Sequence, residues 1–242
     1  MTEGAGRLDG IDLVIFDKDG TLIDFDAMWG PWVMDLAQRL ESLTGRVLAP
    51  GLLDALGFDA TTGRTIAGGP LAATPMARLH ELTAELLIAA GVDEGAARAA
   101  VARAWEPPDP VALARPVTEL RPLFLALRAA GRRIAVATSD DRAPTEMTLA
   151  GLGVADLVDA LACADEGIPV KPAPEMVWTV CRALGVEPAR AAVVGDAPVD
   201  LAMGRAAGAG LVVGVLSGVG GRADLEPYAD LILGSVAELA GG

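Results

Sequence analysis

The chain has 242 residues, of which 52% are hydrophobic, 21% charged and only 4% aromatic. That composition excludes a disordered chain and can fill a sizeable core, with Ala, Val and Leu rather than rings as the packing material. A formal net charge of −14 excludes nucleic acid as a partner, because binding a phosphate backbone needs a basic face.

Met1 to Gly10 is small, polar and acidic, without the basic start and apolar run of a secretory leader, so a soluble cytoplasmic protein is expected. Ile11 to Phe16 follows, a short apolar run rich in β-branched residues. It reads as a buried strand that ends at the acidic turn Asp17-Lys18-Asp19-Gly20. From Phe25 to about Arg115 the pattern is almost wholly helical, with Trp29–Leu43, Met76–Ala90 and Gly95–Trp105 as the best helices. The softer stretches Asp24-Phe25-Asp26 and Glu106-Pro107-Pro108-Asp109-Pro110 bracket it. The longest uncharged stretch, Ala206 to Gly221, is too short and too glycine-rich to span a membrane.

Beyond residue 115, strand and helix patterns alternate. Strands are expected at Arg132–Ala137, Ala191–Val194, Gly210–Val215 and, more weakly, Asp230–Leu233. Helices are expected at Val117–Ala130, Arg142–Leu152, Pro174–Leu184 and Val199–Ala207, three of them stopped by Gly131, Gly185 and Gly208. Alternation of this kind predicts an α/β fold, a Rossmann-like three-layer α/β/α core with a parallel sheet. The core would comprise residues 8–24 and 116–242, with residues 25–115 inserted as an all-helical cap. Sheets of this type bind ligands beyond the carboxyl ends of their strands, which is where the chemically interesting residues fall. Asp17 and Asp19 follow the first strand, Thr138-Ser139 the second, and Asp196 with Asp200 the third, while Lys171 precedes a helix. Lys18 and Lys171 are the only lysines among 19 basic residues.

Taken singly, each acid suits a helix cap and each lysine a solvated surface. Together, and in this order, Asp17-Lys18-Asp19-Gly20-Thr21-Leu22 with Asp24, Thr138, Lys171-Pro172 and Gly195-Asp196 with Asp200 resemble the haloacid dehalogenase-like phosphatase superfamily. The resemblance covers the whole chain, and its wording is similar to the phosphoglycolate phosphatase-like subgroup. It implies a Mg²⁺-dependent phosphomonoester hydrolase acting on a small phosphorylated metabolite. Asp17 would be the nucleophile that becomes a phosphoaspartate, and Asp19 the general acid and base. Thr138, Ser139 and Lys171 would bind the phosphate. Asp17, the Asp19 carbonyl, Asp196 and Asp200, directly or through water, would hold the cation. Gly20 would permit the tight turn.

Phosphoglycolate would further need a cation for its carboxylate, and Arg64 is the candidate in the cap. Two other readings stand beside this one: a sugar-phosphate mutase of the same superfamily and, from another class, a receiver-like phospho-accepting module. The cap holds no lysine, which argues against Schiff-base chemistry on phosphonates. Asp140 and Asp141 read as turn or cap residues, His80 as a cap-helix residue without chemistry, and Cys163 and Cys181 as small buried apolar side chains. No membrane association is expected, and the chain would be a monomer or homodimer.

Overall fold

The structure, a computed structural model, describes residues 7–239. Residues 1–6, where the sequence is read for a leader, lie outside the described residues. β1 (Leu13–Phe16) opens the fold and is followed by α1 (Phe25–Thr44), α2 (Ala49–Leu56), β2 (Phe58–Asp59), β3 (Arg64–Thr65), α3 (Pro70–Ala73), α4 (Met76–Ala89) and α5 (Glu94–Ala104). The chain then alternates through α6 (Leu120–Ala129), β4 (Arg133–Ala137), α7 (Arg142–Gly151), β5 (Ala160–Ala162), α8 (Glu175–Leu184), β6 (Ala191–Gly195) and α9 (Pro198–Ala207). It closes with β7 (Leu211–Val215), α10 (Arg222–Leu225) and β8 (Leu231–Leu233).

Six strands form one parallel sheet in the order β5-β4-β1-β6-β7-β8. β1 is central, with Val14 opposite Ile134 on one side and Ala192 on the other. Side chains alternate across a strand, so both faces of a central parallel strand must be apolar. Val14 and Phe16 pack with Phe124 of α6 and Leu149 of α7 on one face. Leu13 and Ile15 pack with Met176 and Val180 of α8 and Met203 of α9 on the other. Phe16 and Phe124 stack with centroids 5.4 Å apart. Burial of side chains of this size contributes roughly 1.5–3 kcal/mol each, which anchors the strand end from which Asp17 projects. The chain reverses its direction of travel across the sheet beside β1, so the crevice at the carboxyl ends of β1 and β6 is a topological switch point.

A separate apolar cluster draws on residues between Ile23 and Ala114, with Trp29, Trp32 and Leu36 of α1, Leu79 of α4 and Val101 of α5 in it. The sequence predicts only helices here, and the structure adds the two-residue antiparallel ribbon β2–β3. Gly57, at φ +79°, ends α2 in the left-handed region and starts that ribbon. Two residues per strand are too few to show a periodicity. The same reason hides β5, three alanine-rich residues at the sheet edge that the sequence does not announce. Cys163 and Cys181 are free and buried, as expected. No helix of the described residues is long and apolar enough to cross a membrane.

Candidate active site

The turn after β1 is built around close backbone contacts. The Asp17 amide donates to the Val194 carbonyl (2.8 Å), and the Leu22 and Ile23 amides both return to the Lys18 carbonyl (2.9 and 3.1 Å). Gly20 sits at φ +89°, and a Cβ there would lie 2.3 Å from Asp196 Oδ2. Only glycine therefore lets the β1 turn and the end of β6 meet. Asp196 is fixed further by Thr21 Oγ1, which donates to its Oδ1 (3.1 Å), and by the Val219 amide, which donates to its Oδ2 (2.8 Å). Gly218 closes over the same carboxylate, with 1.9 Å between a would-be Cβ and Asp196 Oδ2.

Lys171 joins the same cluster of acids. Its buried Nζ lies 2.5 Å from Asp17 Oδ1 and 2.7 Å from Asp200 Oδ1. Asp200, in the first turn of α9, also accepts the Ala197 amide on Oδ2 (3.0 Å). Asp17, Asp196 and Asp200 each offer a carboxylate oxygen, and these oxygens lie within 4.8 Å of one another. Residues 154 and 179 positions from Asp17 in sequence thus converge on it, because β1 and β6 are neighbours and the loop carrying Lys171 runs past their ends.

The electrostatics show what such a site lacks. Burial pushes the Asp17 carboxyl up from 3.8 to about 7; Lys171 opposes this, and Asp200 and Asp19 add to it. Burial also holds Asp196 well above the ordinary carboxylate range, with Asp17 and Asp200 reinforcing it. Burial disfavours the charge on Lys171, yet the Asp17 and Asp200 carboxylates outweigh that and raise it above the usual lysine value. Three buried carboxylates against one ammonium leave a negative excess. An all-oxygen donor set with that excess, under glycines that leave no room for a side chain, fits a hard divalent cation.

Asp19 is held apart from this cluster. Its Oδ1 accepts the indole N–H of Trp29 (3.1 Å), and its Oδ2 lies 2.6 Å from Lys18 Nζ. Lys18 is buried and reaches Asp140 as well (3.3 Å). Burial disfavours its charge, but Asp19 and Asp140 hold it above its usual range. Thr138, buried at the end of β4, accepts the Asp140 amide on Oγ1 (3.1 Å), and the Thr138 amide donates to the Ala162 carbonyl of β5. Among the described residues the Thr138 hydroxyl has no acceptor, which leaves it able to donate to a ligand in the pocket it lines. Asp17, Asp19, Thr138, Ser139, Lys171, Asp196 and Asp200 all line one pocket of about 570 Å³ that is open to solvent. Phe25, Trp29, Leu71, Ala72, Thr74 and Met76 close it from the side of the inserted helices.

Not every sequence-predicted residue is there. Arg64 lies in β3, 66% exposed in its side chain, pairs with Asp26 (3.0 Å), and is not among the residues lining the pocket. Asp24 is the N-cap of α1, accepting the Ala27 amide (3.0 Å). Asp140, read from the sequence as a turn or cap residue, does sit in the bend before α7 and accepts the Asp141 amide (2.9 Å), and it also lines the pocket and pairs with Lys18; Asp141 is the N-cap of α7. Trp29 and Lys18 are neighbours of Asp19 that no sequence motif announces. The scarcity of lysine was the one available hint for Lys18; nothing local marks Trp29.

A family model described as haloacid dehalogenase-like hydrolase matches residues 11–208. The chain belongs to that family. A phosphoglycolate phosphatase from Rhodospirillum rubrum is 33% identical over 216 residues, covering 83% of this chain and 78% of that protein. Among solved structures, β-phosphoglucomutase from Clostridium difficile overlays with a TM-score of 0.63 at 18% identity, covering 95% of this chain and 93% of that one. CbbY from Rhodobacter sphaeroides, solved in complex with phosphate, overlays at 0.57 and 23% identity, covering 95% and 96%. At those identities the overlays speak for the fold alone. The family and the R. rubrum relative make this chain a phosphatase, and the Rossmann-like core expected from the sequence is borne out.

Proposed function

We propose that the protein is a Mg²⁺-dependent hydrolase of small phosphomonoesters, acting through a phosphoaspartate on Asp17. The observation that carries this reading is the buried Asp17 carboxylate at the end of β1, bonded to Lys171 and within 4.8 Å of oxygens of Asp196 and Asp200.

Phosphomonoester hydrolysis is among the slowest uncatalysed reactions, so the site must lower the barrier by about 20 kcal/mol or more. A carboxylate nucleophile divides the reaction into two easier steps. In the first, an Asp17 oxygen attacks phosphorus, the ester P–O bond breaks, and Asp19 gives a proton to the departing alcohol oxygen. In the second, Asp19 takes a proton from water, whose oxygen displaces Asp17 and frees inorganic phosphate. Lys171 offsets the charge of the phosphoryl oxygens and of Asp17. Thr138, with Ser139 beside it, donates to a phosphoryl oxygen. Trp29 and Lys18 hold the Asp19 carboxyl in place. Asp17, the Asp19 carbonyl, Asp196 and Asp200 would hold Mg²⁺. When bound, the cation neutralises the phosphate dianion so that it can enter beside carboxylates.

The substrate in the name of the R. rubrum relative makes phosphoglycolate a compound to test. The pocket offers its carboxylate no cation from the inserted helices, since their lining residues are apolar or hydroxylic.

The test is phosphate release from a panel of phosphomonoesters with Mg²⁺ and with chelator, using Asp17→Asn as control. Release that depends on Mg²⁺ and vanishes in Asp17→Asn is expected. Release that survives both changes would end the proposal.

A further inference from the structure

A second pocket of about 940 Å³, open to solvent, adjoins the catalytic pocket, and Trp29, Met76 and Asp140 line both. Its other walls include Met28 of α1, Ala77 and His80 of α4, Trp105, Pro107 and Pro144. His80 and Trp105 meet edge to face at 4.9 Å, and Trp105 rests likewise on Trp32 at 5.1 Å, so the aromatic wall is held in place by packing behind it. The charged groups on the chamber are Glu81, Asp140 and Asp141, against one imidazole, that of His80. Among the described residues, no lysine or arginine lines either pocket apart from Lys171, which already serves Asp17 and Asp200.

We infer that the chamber receives the leaving group of the substrate, and that this group is an uncharged, ring-bearing alcohol. The inference rests on the phosphatase reading of the catalytic pocket. Asp19, the acid that serves the ester oxygen, is held by Trp29, and Trp29 lines both pockets, so the leaving group departs on the side of the second one. There two indoles, two methionines and prolines present flat and polarisable apolar surface, which suits a ring and gives little to a two-carbon chain. Glu81 pairs with Arg78 (3.2 Å) and Asp140 with Lys18 (3.3 Å), so Asp141 is left to repel a carboxylate or second phosphate on the leaving group, and among the described residues lining the pocket there is no unpaired Lys or Arg to receive one. A pocket of this kind discriminates by area: each added methylene is worth about tenfold or more when buried.

The experiment compares benzyl phosphate, ethyl phosphate, 4-carboxybenzyl phosphate and phosphoglycolate by kcat/KM. Benzyl phosphate is expected to exceed each of the others by at least about tenfold. Ala77→Phe fills the chamber from an exposed helical position without removing any packed side chain. It should lower kcat/KM for benzyl phosphate at least about tenfold and leave ethyl phosphate within about twofold. A preference for phosphoglycolate, equal rates for benzyl and ethyl phosphate, or an equal loss on both in Ala77→Phe would overturn the inference. Binding separates this from failure of the phosphatase reading. Phenethylphosphonate, which has no ester to cleave, should bind at least about tenfold more tightly than propylphosphonate by calorimetry, and lose that advantage in Ala77→Phe. If no ester is hydrolysed but this pattern holds, the chamber stands and the reaction is wrong. Equal affinities for the two phosphonates would sink the chamber whatever the turnover.

Discussion

Replacing Gly218 with alanine isolates the contribution of one carboxylate's position. A Cβ at 218 would stand 1.9 Å from Asp196 Oδ2 and 2.3 Å from its Cγ. Ordinary contact begins at 3.4 Å, so the carboxylate must retreat by about 1.5 Å in an interior that does not yield easily. That retreat strains or breaks its bonds from Thr21 Oγ1 (3.1 Å) and the Val219 amide (2.8 Å). Each broken bond leaves a buried polar group unpaired at about 1–3 kcal/mol. Gly218 does not occupy the left-handed region, unlike Gly20 at φ +89°. Its replacement therefore adds a clash without adding backbone strain. A displacement of this size should lower kcat/KM at least about 100-fold, as misplacing a catalytic group by about 1 Å does. It should also raise the Mg²⁺ concentration needed for half-maximal rate. Steady-state kinetics over a Mg²⁺ titration, with a thermal melt to register the stability loss, measure both. Gly131→Ala is the control: Gly131 is at φ +81° with nothing within 4 Å of a would-be Cβ, so it should lose stability and keep its activity. Wild-type kinetics and an unchanged Mg²⁺ requirement in Gly218→Ala would refute the argument that Asp196 must sit where the structure has it.

Three further outcomes follow from the same geometry. The Asp17 carboxyl is raised from 3.8 to about 7, so between those values the folded chain keeps a proton that the unfolded chain has released. Stability in chelator should therefore fall as pH rises from about 4 to about 7, with the loss complete above that; melts across this range should show a flatter slope for Asp17→Asn, and an unaltered slope would contradict it. Trp29→Phe keeps an aromatic side chain, though a smaller one, and removes the N–H that Asp19 accepts; the loss of one hydrogen bond of about 1 kcal/mol should cost several-fold in kcat, and an unchanged kcat would show that Asp19 is held without it. Asp24→Ala removes the N-cap of α1 and should lower stability by about 1 kcal/mol with kcat/KM unchanged; a large activity loss at full stability would give Asp24 a part in the reaction instead.

The alternation of buried strands and helices, the acid-rich turns at strand ends and the mainly helical pattern after Phe25 were all legible in the residue order. These are local properties: the run from Leu13 to Phe16 can only be satisfied inside a sheet covered on both faces, and Gly20 announces a turn. The order of Asp17, Thr138, Lys171 and Asp196 was legible for the same reason, since each stands at the end of its own readable element or just before one. Two-residue β2 and β3 and alanine-rich β5 were not, because pairing rather than composition makes them strands. Packing in three dimensions is what brings Lys171 and Asp200 onto Asp17, turns Lys18 inward to Asp19 and Asp140, and carries Trp29 of α1 across to the same acid. It also decided that Arg64 stays outside. Such outcomes depend on strand order and on how the inserted helices sit over the sheet. Those are set by burial summed over many distant residues, and no window of sequence contains that sum.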